Sequence, residues 1–129
     1  MSERLTPIII VGARGRMGKT LLREIAFSDS MILEAAVDRS GGPGLGQDAG
    51  RLAGLQDLGI EVTDELQPRR NSVVVDFSLP HATEVNLRRC VDAGVPLVLG
   101  TTGLQKSTRE LLRAAAKDIA IVSAANFSV

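Results

Sequence analysis

The sequence predicts an α/β fold, a doubly wound parallel sheet in a single domain, and three observations carry that expectation. Ile8-Ile9-Ile10-Val11-Gly12-Ala13-Arg14-Gly15-Arg16-Met17-Gly18 is an apolar run opening into glycines at three-residue intervals, with Asp38 twenty positions after the last of them. Strand-like and helix-like segments then alternate along the whole chain, as they do in such sheets. The length, 129 residues, suits one domain able to bury a core.

Composition narrows the function classes. Fifteen basic and fifteen acidic residues balance, without a block of like charge, so neither a nucleic-acid nor a membrane partner is expected. The longest apolar runs fall far short of the roughly 20 residues that span a bilayer. Met1-Ser2-Glu3-Arg4 leads into a strand without the long apolar segment of a signal peptide, so a cytoplasmic chain is expected. The one cysteine, Cys90, can form neither an internal disulfide nor a cysteine metal cluster, and beside Leu87 and Val91 it suits a helix's core face. No metal site is expected.

The first element is the strand ending at Val11, since a buried parallel strand needs continuous β-branched residues. Gly12 permits the tight turn, Gly15 lets backbone N–H groups approach a pyrophosphate, and Gly18 lets helix and strand pack closely. The helix that follows presents Met17, Leu21, Leu22 and Ile25 as its buried face, and its N-terminus turns the positive end of its dipole to phosphate. Met31 to Val37 is the second strand. Gly41-Gly42-Pro43-Gly44-Leu45-Gly46 is a breaker-rich loop that either folds over a ligand or merely connects. Ile60-Glu61-Val62 reads as a short third strand, Ser72 to Val75 as a fourth and Pro96 to Leu99 as a fifth. A helix from about Pro80 to Ala93 lies between the last two, the proline fitting its start because the missing N–H is unused there. Ser107-Thr108-Arg109-Glu110 has the spacing of a capping box and predicts a helix carrying Leu111, Leu112 and Ala115, before a last strand from Ile119 to Val122.

Ligands of open α/β sheets bind outside the carboxyl ends of the strands, and several polar or aromatic residues fall there. Asp38 closes the second strand, where a carboxylate accepts hydrogen bonds from ribose hydroxyls or else shapes a turn. Arg39 beside it suits a 2′-phosphate or an adenine face, or is an exposed arginine without a ligand. Because Asp38 repels a 2′-phosphate, NADH should bind at least as well as NADPH. Of three aromatic residues, Phe77 and Phe127 sit just past strand ends, as pocket linings or as core. Gly100-Thr101-Thr102-Gly103 is a turn that also lets a cofactor near the backbone. His81, the one histidine, reads as an exposed residue rather than a catalytic one, since no Ser or Cys nucleophile pairs with it.

In this order, Val11 to Gly18, Asp76-Phe77-Ser78 before Pro80, Gly100-Thr101-Thr102-Gly103 and Ala124-Ala125-Asn126-Phe127-Ser128-Val129 resemble the 4-hydroxy-tetrahydrodipicolinate reductase (dihydrodipicolinate reductase) family over nearly the whole chain. The resemblance implies a Rossmann-like nucleotide-binding domain over residues 1–129 and a nicotinamide dinucleotide, NADH or NADPH, that reduces a cyclic imine-type intermediate of lysine and diaminopimelate synthesis. It places the pyrophosphate on Gly12, Ala13, Arg14, Gly15, Arg16 and Met17, and the ribose on Asp38 and Arg39. The nicotinamide end falls to Gly100, Thr101, Thr102, Ala124, Ala125, Asn126 and Phe127.

The turn reads G-x-x-G-x-x-G rather than the commoner G-x-G-x-x-G, with Arg14 in a variable place. Leu79 stands where some family members carry a basic residue, which removes a phosphate-selecting contact. The family's substrate-binding and acid-catalytic residues follow the point corresponding to Val129, so no catalytic residue is assigned here. The expectation is a domain lacking the family's C-terminal substrate domain, binding cofactor without turnover, and largely monomeric where full-length members are homotetramers. Another nicotinamide-dependent dehydrogenase, and a non-catalytic module such as a redox sensor or CoA-binding domain, are the other readings.

Overall fold

The computed structural model describes residues 4–123, which form one five-stranded sheet between helices. The strands are β1 (Thr6–Val11), β2 (Met31–Val37), β3 (Val73–Asp76), β4 (Leu97–Leu99) and β5 (Ile121–Ser123). All neighbours pair in parallel, in the order β2-β1-β3-β4-β5. The helices are α1 (Arg16–Ala26), the single turn α2 (Ala49–Leu52), α3 (Thr83–Ala93), entered through a 3₁₀ turn at Pro80–Ala82, and α4 (Lys106–Ala115). The doubly wound expectation is met, and no helix among the described residues is long and apolar enough to cross a membrane.

The apolar run of β1 explains the layering. Strand side chains alternate between faces, so a central strand covered on both sides must be apolar throughout. Ile8 and Ile10 join Leu22 and Ile25 of α1 and Ala49 of α2 in one core. Ile9 and Val11 join Leu87 and Cys90 of α3 and Leu112 and Ala115 of α4 in the other. The strand order reverses between β1 and β3, which opens a crevice at their carboxyl ends.

Several sequence expectations need correction. Ile60-Glu61-Val62 forms no strand: the segment makes isolated bridges, Glu61 to Asp48 and Thr63 to Val37. It meets β2 only at that strand's last residues and otherwise hydrogen-bonds back to Gln47 and Ala49, so no ladder can propagate. Met17 is 47% exposed, and Gly18, Leu22 and Ile25 face inward instead. The helix backbone presses so closely on the turn that a Cβ at residue 18 would overlap the Gly12 carbonyl oxygen.

The capping box is not used. α4 begins after Gln105, leaving Ser107 inside the first turn, while Thr108 turns inward and donates its hydroxyl to Glu84 Oε1 at 3.2 Å. On the same helix Leu111 is 41% exposed, whereas Leu112 and Ala115 pack. Finally, α2 had no helical periodicity to announce it. Its cap is Asp48, whose carboxylate accepts the N–H groups of Gly50 (2.7 Å), Leu58 (2.8 Å) and Gly59 (2.8 Å) and closes the excursion between β2 and β3. Those bonds, that of Leu58 foremost, hold the Asp48 pKa below the usual aspartate range against the opposing effect of burial.

Candidate functional site

The crevice is built by strand ends. After β1 the chain turns at Gly12 with φ of 84°, where a Cβ would stand 2.8 Å from the carbonyl carbon of Phe77 and 2.9 Å from Ser78 N. Only glycine combines that φ with that approach. The Gly12 and Ala13 N–H groups donate to Val37 O at 2.9 and 3.1 Å, which ties the turn to the end of β2. Gly15 caps α1 without a side-chain hydrogen bond, and no acidic residue lies in the first turn. The helix therefore presents backbone N–H groups and the positive end of its dipole to whatever anion enters.

Asp38 clasps the same turn from β2. Its Oδ2 accepts Arg14 N–H at 2.7 Å and its Oδ1 accepts Arg39 N–H at 2.8 Å. A carboxylate has about four acceptor sites, so two remain for ligand hydroxyls. Beyond it, Ser40 donates to Asp64 Oδ2 at 3.1 Å, and Arg89 stands 3.9 Å from Glu65 at the rim.

The crevice encloses about 370 Å³. It brings together Gly12, Arg14, Gly15, Asp38, Arg39 and Phe77 of the sequence-predicted residues, and exposed His81 also lines it. The others lie elsewhere. Ala13 is fully buried beneath the turn, and Arg16 and Met17 are exposed on the first turn of α1. Gly100 backs onto the Phe77 ring, Thr101 is buried with its hydroxyl donated to Ser78 O at 2.8 Å, and Thr102 is exposed. Ala124, Ala125, Asn126 and Phe127 fall outside the described residues.

Sequence reasoning missed part of the lining. Ala82, Val85, Asn86 and Arg89 recur at the i, i+3, i+4, i+7 spacing of one helix face, a signal that was present. Leu66 had no such signal, because only the return of the chain from α2 brings it to the crevice.

Asp76, the last residue of β3, holds the floor. It is completely buried, and its Oδ1 accepts both the N–H of Ser78 (2.8 Å) and the Ser78 hydroxyl, while Oδ2 accepts Asn86 Nδ2 at 2.9 Å. A buried carboxylate so provided with donors is tolerated where a bare one would not be. The Ser78 hydroxyl is thus a donor to Asp76 rather than a free nucleophile. Burial, helped by the negative charge of Asp76, pushes the Cys90 thiol up to about 12, consistent with its core position.

The assembled site offers N–H groups for phosphate, a carboxylate for hydroxyls and an apolar slot. The family model described as "Dihydrodipicolinate reductase, N-terminus" matches residues 6–127. The 4-hydroxy-tetrahydrodipicolinate reductase of Halorhodospira halophila is 44% identical over 121 residues, covering 92% of this chain and 45% of the relative. That of Alkalilimnicola ehrlichii is 46% identical over 125 residues, covering 95% and 47%. The chain thus spans about half the length of these relatives. Among solved structures, a dipicolinate-bound dihydrodipicolinate reductase from Paenisporosarcina superposes with a TM-score of 0.63 at 22% identity over 88% of this chain and 43% of that one. GenD2 of gentamicin A biosynthesis, in complex with NAD, gives 0.68 at 20% identity over 98% and 36%. At these identities the two structures speak for the fold.

Proposed function

The chain belongs to the dihydrodipicolinate reductase family, matching its N-terminal domain, and from that premise we propose that it holds the nicotinamide dinucleotide of a 4-hydroxy-tetrahydrodipicolinate reductase. One observation carries the reading. The uncapped N-terminus of α1 and the carboxylate of Asp38 meet across the Gly12 turn in a single crevice, one suited to an anion and the other to hydroxyls, as a pyrophosphate and its adjoining ribose require. The residues fit the group: the turn leaves no room for a Cβ at Gly12, Asp38 keeps free acceptor sites, and Leu66, Ala82 and Val85 supply an apolar slot for a base.

When bound, NADH or NADPH supplies the hydride. The chain's own residues bind and orient. Backbone N–H groups at the start of α1 hold the pyrophosphate, Asp38 holds the adenine ribose, and Arg39 meets a 2′-phosphate when there is one. Phe77 limits the crevice toward β4. In this reading the hydride acceptor is a cyclic imine-type intermediate, and the described residues contribute position rather than the general acid that protonates it.

Calorimetric titration of the chain with NADH and, in parallel, NADPH tests the reading. Saturable binding of one dinucleotide per chain, with NADH at least as tight as NADPH, is expected. Folded protein that binds neither would overturn it.

A further inference from the structure

Asn86 lines the crevice with an amide whose orientation is chemically fixed. Asp76 Oδ2, an acceptor, lies 2.9 Å from Asn86 Nδ2, so the amide must turn its NH₂ group inward. Its carbonyl oxygen then points the other way. That oxygen accepts no hydrogen bond from the described residues, and Asn86 is one of the residues that line the crevice. Ala82 and Val85, apolar, lie on the same helix face, and Leu66, on the return of the chain from α2, lines the crevice with them. An amide acceptor oriented in this way beside an apolar slot suits a planar base with an amino group on its edge.

Resting on the dinucleotide reading above, we propose that Asn86 selects adenine by accepting a hydrogen bond from its exocyclic amino group, and that Asp76 is the positioning residue that fixes the amide for this. A base bearing a carbonyl at that place, such as hypoxanthine, would set two acceptors against each other and leave both unpaired.

The arrangement makes an unusual prediction for Asp76→Asn. The Asp76 Oδ1 position receives two donors from Ser78, so an asparagine there must keep its carbonyl oxygen toward Ser78 and place its NH₂ opposite residue 86. Asn86 must then rotate its carbonyl toward that NH₂ and present its own NH₂ to the crevice. The selectivity changes sign, although nothing at residue 86 has been altered.

The experiment is titration of the chain with NADH and with reduced nicotinamide hypoxanthine dinucleotide, for the natural sequence, Asp76→Asn and Asn86→Ala, each first checked for a cooperative thermal transition. The natural chain is expected to prefer NADH by about 10-fold, Asn86→Ala to bring the ratio near about 1, and Asp76→Asn to favour the hypoxanthine form. Should Asp76→Asn fail to fold, the Asn86→Ala ratio decides. Equal affinities in the natural chain, or variants that weaken both ligands in parallel, would overturn the proposal while leaving the dinucleotide reading intact. Absence of binding of either ligand would overturn both.

Discussion

The ring of Phe77 fills the space in which a Cβ at Gly100 would stand: its Cε1, Cδ1 and Cζ atoms are the nearest heavy atoms to that position, all too close for a real side chain. The two residues follow the neighbouring strands β3 and β4, and Gly100 N–H donates to Asp76 O at 2.8 Å. The glycine thus decides where the aromatic wall of the crevice stands.

Gly100→Ala is therefore expected to drive the Phe77 ring from its place. Overpacking of this kind costs about 1–3 kcal/mol. Urea unfolding should show the loss, and dinucleotide affinity should fall with it. The double variant Gly100→Ala/Phe77→Ala should recover part of the stability, since the two changes share one contact. Additive losses in that cycle would mean that the ring and the glycine are independent.

Asp38→Ala removes the acceptor for the Arg14 and Arg39 N–H groups and the proposed partner of the ribose hydroxyls. NADH affinity should drop by roughly 10-fold or more, in keeping with a charged hydrogen-bond acceptor lost. NADPH should lose less, because removing the carboxylate also removes its repulsion of a 2′-phosphate. Parallel calorimetric titrations measure the ratio, and an unchanged ratio would remove Asp38 from the ribose site.

The Asp48 cap makes stability depend on acid. Its pKa is lower in the folded chain than in the unfolded one, so its contribution is complete above the unfolded value of about 4 and is lost as the pH falls through the folded value beneath it. Urea midpoints measured from neutral pH down into this range should decline, and Asp48→Asn should flatten the part of the decline due to this group. An identical pH profile in the variant would assign the acid sensitivity to other carboxylates.

Cys90 should be inert in the native state. It is buried with its thiol pushed up to about 12, so almost no thiolate exists at pH 8. Iodoacetamide should leave the folded chain unmodified and label it once urea has unfolded it. Prompt labelling of the native chain would show that α3 opens readily.

The sequence carried the five strands of the sheet and the glycine turn because their signals are local. Ile8 to Val11 must be apolar wherever a strand is covered on both faces, and Gly12 must be glycine wherever a turn requires its φ. Asp38 was legible for the same reason, as the polar residue ending a strand at the right distance from the glycines. Ile60-Glu61-Val62 misled because two β-branched residues flanking a polar one do not reveal whether a neighbouring strand is available along their length. Ser107 misled because a capping spacing can lie inside a helix as well as at its start.

By itself, then, the sequence determined the α/β class, the order of the main elements and the glycine turn with its carboxylate, all of which depend on backbone sterics and short-range periodicity. Only the tertiary structure decided that Leu66 and the α3 face bearing Asn86 meet that turn, that Phe77 stands against Gly100, and that Asp76 fixes the Asn86 amide. Those relationships join residues on different strands and helices, and the physical reason they escape the sequence is that a hydrogen bond or a van der Waals contact is set by distance in space, which chain spacing does not specify.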